Sequence, residues 1–146
     1  MKTSLLIIGG GAAGLMAAGT AAHEGVETIV LERNERPARK LMITGKGRCN
    51  VTNNCRSLQE LISNVPRNGR FLYGAFSRFM PEDVIAFFED NGVELKTERG
   101  NRVFPVSDNA ADIVDALAGY AKRRARFMHG RAVELMHDGE RVLGVK

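Results

Sequence analysis

The chain has 146 residues, 44% of them hydrophobic and 26% charged, with a formal net charge of +4. That length allows one domain with a real core, and the composition is ordinary for a globular chain rather than for a disordered or fibrous one. No apolar stretch approaches the length of a bilayer span. Met1-Lys2-Thr3-Ser4 leads straight into a short strand run without a signal-peptide pattern, and two cysteines make no secreted disulfide framework. A cytoplasmic protein that spans no membrane is expected.

Leu5, Leu6, Ile7 and Ile8 are apolar in succession, the pattern of a parallel strand covered on both faces. Gly9, Gly11 and Gly14 follow as GxGxxG. Gly9 permits the tight turn out of the strand, Gly11 lets a pyrophosphate approach the backbone, and Gly14 lets a helix lie close on the sheet. The spacing predicts a helix from about Ala12 to Glu24, thin and rich in alanine, with Gly25 as its stop. Its free N–H groups and positive dipole end would face phosphates. The dipole contributes only roughly 0.3–2 kcal/mol, so direct hydrogen bonds and ring burial must supply most of the affinity. Thr28 to Leu31 form a second strand ending at Glu32, 18 positions after Gly14. An acid there can accept hydrogen bonds from a ribose. It also opposes a 2′-phosphate, an exclusion that neighbouring Arg33 weakens.

Residues 37 to 54 read PARKLMITGKGRCNVTNN, a polar loop with spaced glycines where a plain nicotinamide-binding unit would enter its next helix. Gly45 and Gly47 can turn backbone N–H groups inward as an anion nest. Arg48 can add a planar, bidentate phosphate contact. Such a loop suits a larger, phosphate-bearing cofactor. Cys49 and Cys55 have five residues between them. A packed side chain in the glycine loop is the favoured reading of Cys49, because positions six apart point to opposite faces of a helix and Asn53-Asn54 breaks any helix there. A redox pair beside a flavin is kept as the alternative.

Further along, Gly69 to Met80 and Glu82 to Asn91 read as helices, with Pro81 at the start of the second. Val93 to Lys96 and Arg102 to Phe104 suggest a hairpin around Arg99-Gly100-Asn101. Ser107 or Asp108 would cap a helix to about Arg124, with Ile113, Val114, Leu117 and Tyr120 on its apolar stripe. Ala132 to Met136 and Val142 to Lys146 read as a second hairpin. The basic run Lys122-Arg123-Arg124-Ala125-Arg126 has no interleaved aromatic residue for base stacking. It reads as a solvated helix end, and nucleic acid is not an expected partner. His23, His129 and His137 lack ligand spacing, His23 reads as an exposed helix-end residue, and no metal site is expected.

The stretch KLMITGKGRCNVTNN resembles the K-[LIV]-x-x-[ST]-G-x-G-[RK]-C-N-x-[ST]-N signature of the YhiN/BaiN-like flavoproteins, also described as aminoacetone oxidase-like or NAD(P)/FAD-dependent oxidoreductases. Lys40, Leu41, Thr44, Gly45, Gly47, Arg48, Cys49, Asn50, Thr52 and Asn53 match. Glu98-Arg99-Gly100 and Arg102-Val103-Phe104-Pro105 resemble a second block of that family. The resemblance implies FAD, with Gly9, Gly11, Ala13 and Gly14 on the pyrophosphate and Glu32, beside Arg33, at the adenosine ribose. It implies that Lys40, Thr44, Gly45, Gly47, Arg48, Cys49 and Asn50 line the cofactor towards the flavin, and that backbone atoms of Val133 meet the adenine. NAD(P)H is a candidate electron donor. Relatives of this kind are several hundred residues long. The chain therefore reads as an N-terminal portion, and any catalytic acid or base is expected beyond Lys146.

The expected fold is α/β: a Rossmann-like parallel sheet within residues 1–146, with a helical and hairpin insertion at roughly 57–125 before the sheet resumes near Phe127. The expected function is the FAD-binding part of a flavoprotein oxidoreductase, whose flavin accepts a hydride or electron pair from a small-molecule substrate. The alternatives are a stand-alone dinucleotide-binding module or inactive fragment, a flavin-dependent disulfide reductase, and an RNA-modification protein.

Overall fold

The computed structural model describes residues 1–146. The chain divides into two compact units, one formed by Met1–Lys40 with Leu117–Lys146 and one by Leu41–Ala116.

In the first unit, β1 (Leu5–Ile8) and β2 (Thr28–Glu32) are parallel, with Leu5 opposite Thr28 and Ile8 opposite Leu31. The sheet resumes after the long excursion with a third parallel strand at Arg126–His129, which pairs with the other side of β2. Only β2 has neighbours along both edges, and Thr28, Ile29 and Val30 are buried there. β1 is an edge strand, partly buried, with Ile8 54% exposed. This corrects the expectation of a strand covered on both faces: an apolar run marks membership of a sheet, not the number of elements around it.

Helix α1 (Ala12–His23) buries Leu15, Ala18, Gly19 and Ala22. Each large core side chain, such as Leu15, Ile29 or Val30, contributes roughly 1.5–3 kcal/mol through burial. The helix ends as expected at Gly25, whose left-handed backbone (φ 85°) lets the Gly25 and Val26 N–H groups bond Ala22 and Ala21. Gly19 accommodates the Tyr120 ring, which a Cβ would overlap. His23 stacks on that same ring at 4.6 Å with 10° between planes, so it is packed rather than an exposed helix-end residue. An antiparallel hairpin, Leu135–His137 with Val142–Val145, closes the unit.

In the second unit, Leu95–Glu98 and Arg102–Pro105 form the expected hairpin around Arg99-Gly100-Asn101, with Gly100 and Asn101 left-handed. Thr52–Asn53 pairs with the other edge of Arg102–Pro105. Numbered in chain order, these three strands are β3 (Thr52–Asn53), β4 (Leu95–Glu98) and β5 (Arg102–Pro105). A helix over Pro81–Asp90 packs on β3 and β4 and starts where the Asp83 carboxylate accepts the Met80 N–H at 2.7 Å.

Three expectations in this unit need correction. Gly69 to Met80 is not one helix but a 3₁₀ turn, Gly69–Leu72, followed by a single helical turn, Tyr73–Phe76. Asn68 is left-handed, and two glycines lower the helical preference of the segment. A short helix at Leu58–Ser63 was not anticipated, although its signal is local: Ser57 Oγ accepts the Glu60 N–H at 3.2 Å in a Ser-x-x-Glu start. The cap of the helix at Ala110–Lys122 is Asn109, whose Oδ1 accepts the Ala111 N–H at 3.0 Å. Ser107 supports Asn109 from behind, and Asp108 is held by cations elsewhere.

Candidate functional site

The C-terminal ends of β1 and β2 are the place where open parallel sheets bind ligands. Gly9 continues the ladder by donating to the Leu31 carbonyl at 2.8 Å, then turns with φ 99°. Gly10 is clamped on both sides. Its N–H donates to Glu32 Oε2 at 2.6 Å, and its carbonyl accepts the Ala38 N–H at 2.7 Å. A Cβ on Gly10 would lie 3.1 Å from Pro37 Cβ and 3.3 Å from Glu32 Oε2. Gly11 is the cap of α1 and has open space where a Cβ would stand. No side chain caps this helix and its first turn holds no acid. The first N–H groups of a helix have no partner within it, so Ala12, Ala13 and Gly14 present donors at an uncompensated positive helix end. A Cβ on Gly14 would run into the Gly9 carbonyl, so Gly14 is required for the helix to pack against the turn.

Glu32 fastens this turn. Oε2 holds Gly10, and Oε1 accepts from the Asn34 N–H at 2.8 Å and from its side-chain amide at 2.6 Å. Burial pushes the carboxyl pKa up, but the hydrogen bonds from Asn34 and Gly10 outweigh it and hold the group below its ordinary value. Three bonds leave the carboxylate further lone-pair capacity. Sequence reasoning missed Gly10, Asn34, Pro37 and Ala38, whose roles follow from where the chain returns rather than from the motif. Arg33 and Lys40 are exposed.

The loop of the second unit is built on left-handed residues. Gly45 (φ 56°), Lys46 (φ 60°), Gly47 (φ 85°) and Cys49 (φ 61°) crowd into five positions. Its Arg48 and Cys49 N–H groups turn back to Gly45 and Thr44, and Thr44 Oγ1 donates to the Leu41 carbonyl at 2.9 Å. A Cβ on Gly45 would stand 3.0 Å from both Asn50 N and the Phe104 ring. With its amide oriented to suit its neighbours, Asn50 donates to the Thr52 and Val103 carbonyls at 3.1 and 3.2 Å.

Arg48 does not present a free fork to a phosphate. Nη1 and Nη2 take Glu98 bidentately at 2.8 and 3.1 Å, Nη1 also reaches Asp108 at 3.0 Å, and the guanidinium lies 4.0 Å over the Phe104 ring. Lys96 closes the network on Asp108 at 2.7 Å. Glu98 and Asp108 hold the Arg48 pKa above its ordinary value. Glu98 is in turn lowered chiefly by Arg48, and Asp108 chiefly by Lys96. The expected bidentate contact therefore exists, but its partner is a carboxylate 50 residues away. The available signal was Glu98 in the second motif block.

Cys49 and Cys55 are buried and unlinked. Burial raises the pKa of both thiols, and the charge of Glu60 adds to it at Cys55, so neither is primed as a thiolate nucleophile. Val133 is 73% exposed and its N–H donates to the Lys146 carbonyl at 2.7 Å, which leaves only its carbonyl for a ligand. No helix is long and apolar enough to cross a membrane.

Residues 3–145 match the family model described as the HI0933-like protein Rossmann domain. The chain is 32% identical over 120 residues to a 3-dehydro-bile acid delta(4,6)-reductase of Clostridium scindens, covering 81% of this chain and 28% of that protein. It is 31% identical over 112 residues to a ribosomal RNA dihydrouridine synthase of Escherichia coli, covering 77% of this chain and 27% of that one. It thus spans little more than a quarter of these curated relatives. Among solved structures, 3-ketosteroid-delta4-(5alpha)-dehydrogenase of Rhodococcus jostii is similar in fold, with a TM-score of 0.69 at 16% identity over 98% of this chain and 41% of that chain.

Proposed function

The chain belongs to the HI0933-like Rossmann-domain family, and on that premise we propose that it holds FAD for a flavoprotein that reduces a carbon–carbon double bond conjugated to a carbonyl. The bond from the Gly10 N–H to Glu32 Oε2 carries this reading, because it locks the ribose-facing acid against an open, uncapped helix start. The donor set fits the ADP half of the cofactor. Ala12, Ala13 and Gly14 offer amides to the pyrophosphate with Gly9 and Gly11 leaving room for it, and Glu32 accepts from the adenosine ribose. The Val133 carbonyl can meet the adenine, and Arg33 and Lys40 lie exposed at the edge of the first unit. Thr44, Gly45, Gly47, Cys49 and Asn50 are assigned to the cofactor from the signature resemblance of their loop, and Arg48 fixes that loop's shape through Glu98 and Asp108.

When bound, FAD supplies reversible two-electron transfer, with NAD(P)H as the electron donor. The bond class comes from the two curated relatives. One name describes a reductase acting on double bonds of a 3-keto steroid, the other the formation of dihydrouridine from uridine. In both, the reduced bond is conjugated to a carbonyl. The chain's own residues bind and orient the cofactor, and none of them is assigned to protonate substrate. Two buried, unlinked thiols suit a reducing, cytoplasmic compartment.

Titration calorimetry with ADP, 2′-deoxy-ADP and FAD tests the reading. Wild-type chain should prefer ADP over its 2′-deoxy analogue, and Glu32→Ala should erase that preference and weaken FAD binding by about 1–3 kcal/mol, roughly 5- to 150-fold. Equal affinity of the wild type for the two nucleotides would remove the ribose assignment.

A further inference from the structure

A carboxylate has about four lone-pair sites, roughly two on each oxygen, and those of Glu32 are unevenly filled. Oε1 accepts twice from one residue, from the Asn34 N–H at 2.8 Å and from Asn34 Nδ2 at 2.6 Å. Oε2 accepts once, from the Gly10 N–H at 2.6 Å. Oε1 is therefore full and Oε2 keeps one open site. An ionised carboxylate only accepts, so the Asn34 amide must turn Nδ2 toward Glu32 and Oδ1 away from it.

Asn34 is held in this arrangement by the chain that follows it. It is half-buried in the bend after β2. Ala38, with a left-handed backbone (φ 55°), donates its N–H to the Gly10 carbonyl at 2.7 Å. Pro37 Cβ lies 3.1 Å from where a Gly10 Cβ would stand. Gly10 is thus gripped at its carbonyl by the segment carrying Asn34 and at its N–H by Glu32. The last torsion of a glutamate is soft, and two donors on Oε1 with a third on Oε2 fix the carboxylate plane. Burial raises the Glu32 pKa, but the Asn34 and Gly10 bonds bring it below its ordinary value, so the acceptor stays ionised.

We infer that Asn34 is a positioning residue that leaves Glu32 a single acceptor site, on Oε2, so that the chain recognises one ribose hydroxyl of an adenine nucleotide, the 2′-hydroxyl, and not the 2′,3′ pair. The inference rests on the ribose assignment above and adds which oxygen is used and which residue decides it. An acid with both oxygens open can take the two neighbouring hydroxyls of a ribose together. Here the second place is occupied by the protein's own amide.

The test is calorimetric titration of the 146-residue chain with ADP, 2′-deoxy-ADP and 3′-deoxy-ADP from about pH 4 to 8, read as affinity ratios so that ionisation of the nucleotides cancels. Wild-type chain should bind 2′-deoxy-ADP roughly 5- to 100-fold more weakly than ADP, and 3′-deoxy-ADP within about twofold of ADP. Asn34→Ala reopens a site on Oε1, so 3′-deoxy-ADP should now be disfavoured as well. The same variant lacks one donor to the charged carboxylate, so its preference for ADP should fade at a higher pH on acidification than that of the wild type. Asn34→Asp keeps the side chain's shape but sets an anion against Oε1. Its preference for ADP should be weak at neutral pH and recover as acid supplies one proton for the two carboxylates to share, the opposite trend to Asn34→Ala. Circular dichroism checks that each variant is folded. Wild-type indifference to both hydroxyls would remove the ribose assignment and this inference with it. A comparable loss with 3′-deoxy-ADP in the wild type, or folded Asn34 variants with wild-type ratios at every pH, overturns the role of Asn34 alone and leaves the ribose assignment standing.

Discussion

The glycine turn at 9–14 and the glycine loop at 44–50 are both built on crowded, left-handed or Cβ-free positions, yet they are held in opposite ways. The turn is fastened by an anion, Glu32, which comes from the adjacent strand and keeps unused acceptor capacity. The loop is fastened by a cation, Arg48, whose fork is filled by Glu98 and Asp108. A charged residue inside a motif can thus serve a ligand or the motif's own shape, and what separates the two is how many of its bonds are already made. By that measure Glu32 remains available to a partner and Arg48 does not.

The two regions should differ most in how they tolerate a single methyl group. Gly14 has no left-handed requirement, but a Cβ there meets the Gly9 backbone, which cannot step aside without dismantling the turn. Gly14→Ala is expected to cost about 3 kcal/mol or more, a fall in Tm of roughly 6–12 °C by calorimetry. Gly45→Ala meets the Asn50 backbone N and the Phe104 ring at 3.0 Å, a milder contact that shifts of a few tenths of an ångström relieve, and adds the cost of its left-handed backbone, about 1–2 kcal/mol. Equal losses at the two positions would mean that backbone contact is not what distinguishes them.

The anionic fastening should also have an acid limit. Glu32 is held below its ordinary value of 4.5 in the folded chain. Its contribution is therefore fully present above that value and is lost as pH falls through the lower, folded pKa. Wild-type Tm is expected to fall towards that of Glu32→Gln as acid is added, starting near pH 4.5, while the two run parallel from pH 6 to 8. Parallel curves through the acid range would show that the Gly10 and Asn34 bonds do not favour the charged carboxylate.

How much of this was legible depended on sequence distance. The strand, glycine turn, helix and terminal acid of residues 5–32 lie in one local stretch, and the structure matches the pattern almost residue for residue because each part constrains its neighbour. Gly25 as a helix stop and the hairpin around Gly100 were readable for the same reason. The carboxylate ends of the Arg48 network were not, since 50 and 60 residues separate Glu98 and Asp108 from Arg48 and no local rule selects them. The break within residues 69–80 was missed because apolar spacing there suits a helix, while Asn68 and the packing of Gly69 on Ile62 impose a tighter turn.

The smallest expected effect is the most discriminating between the two regions. If Arg48 only shapes its loop, Arg48→Ala should leave ADP affinity within about twofold, because the ADP contacts proposed here lie on residues 9–32 and Val133 and none on that loop. Stability should fall slightly, and the fall should shrink at high salt, since Arg48, Glu98 and Asp108 are all partly exposed to solvent. Arg48→Lys should not restore it, because an ammonium cannot reproduce the bidentate hold on Glu98 together with the flat contact on Phe104. A Glu98→Gln partner variant should make the Arg48→Ala loss smaller, as expected of two groups acting through one interaction. A large loss of ADP binding in Arg48→Ala, with Tm unchanged, would instead return the guanidinium to the phosphates and erase the distinction between a charge that binds and a charge that builds.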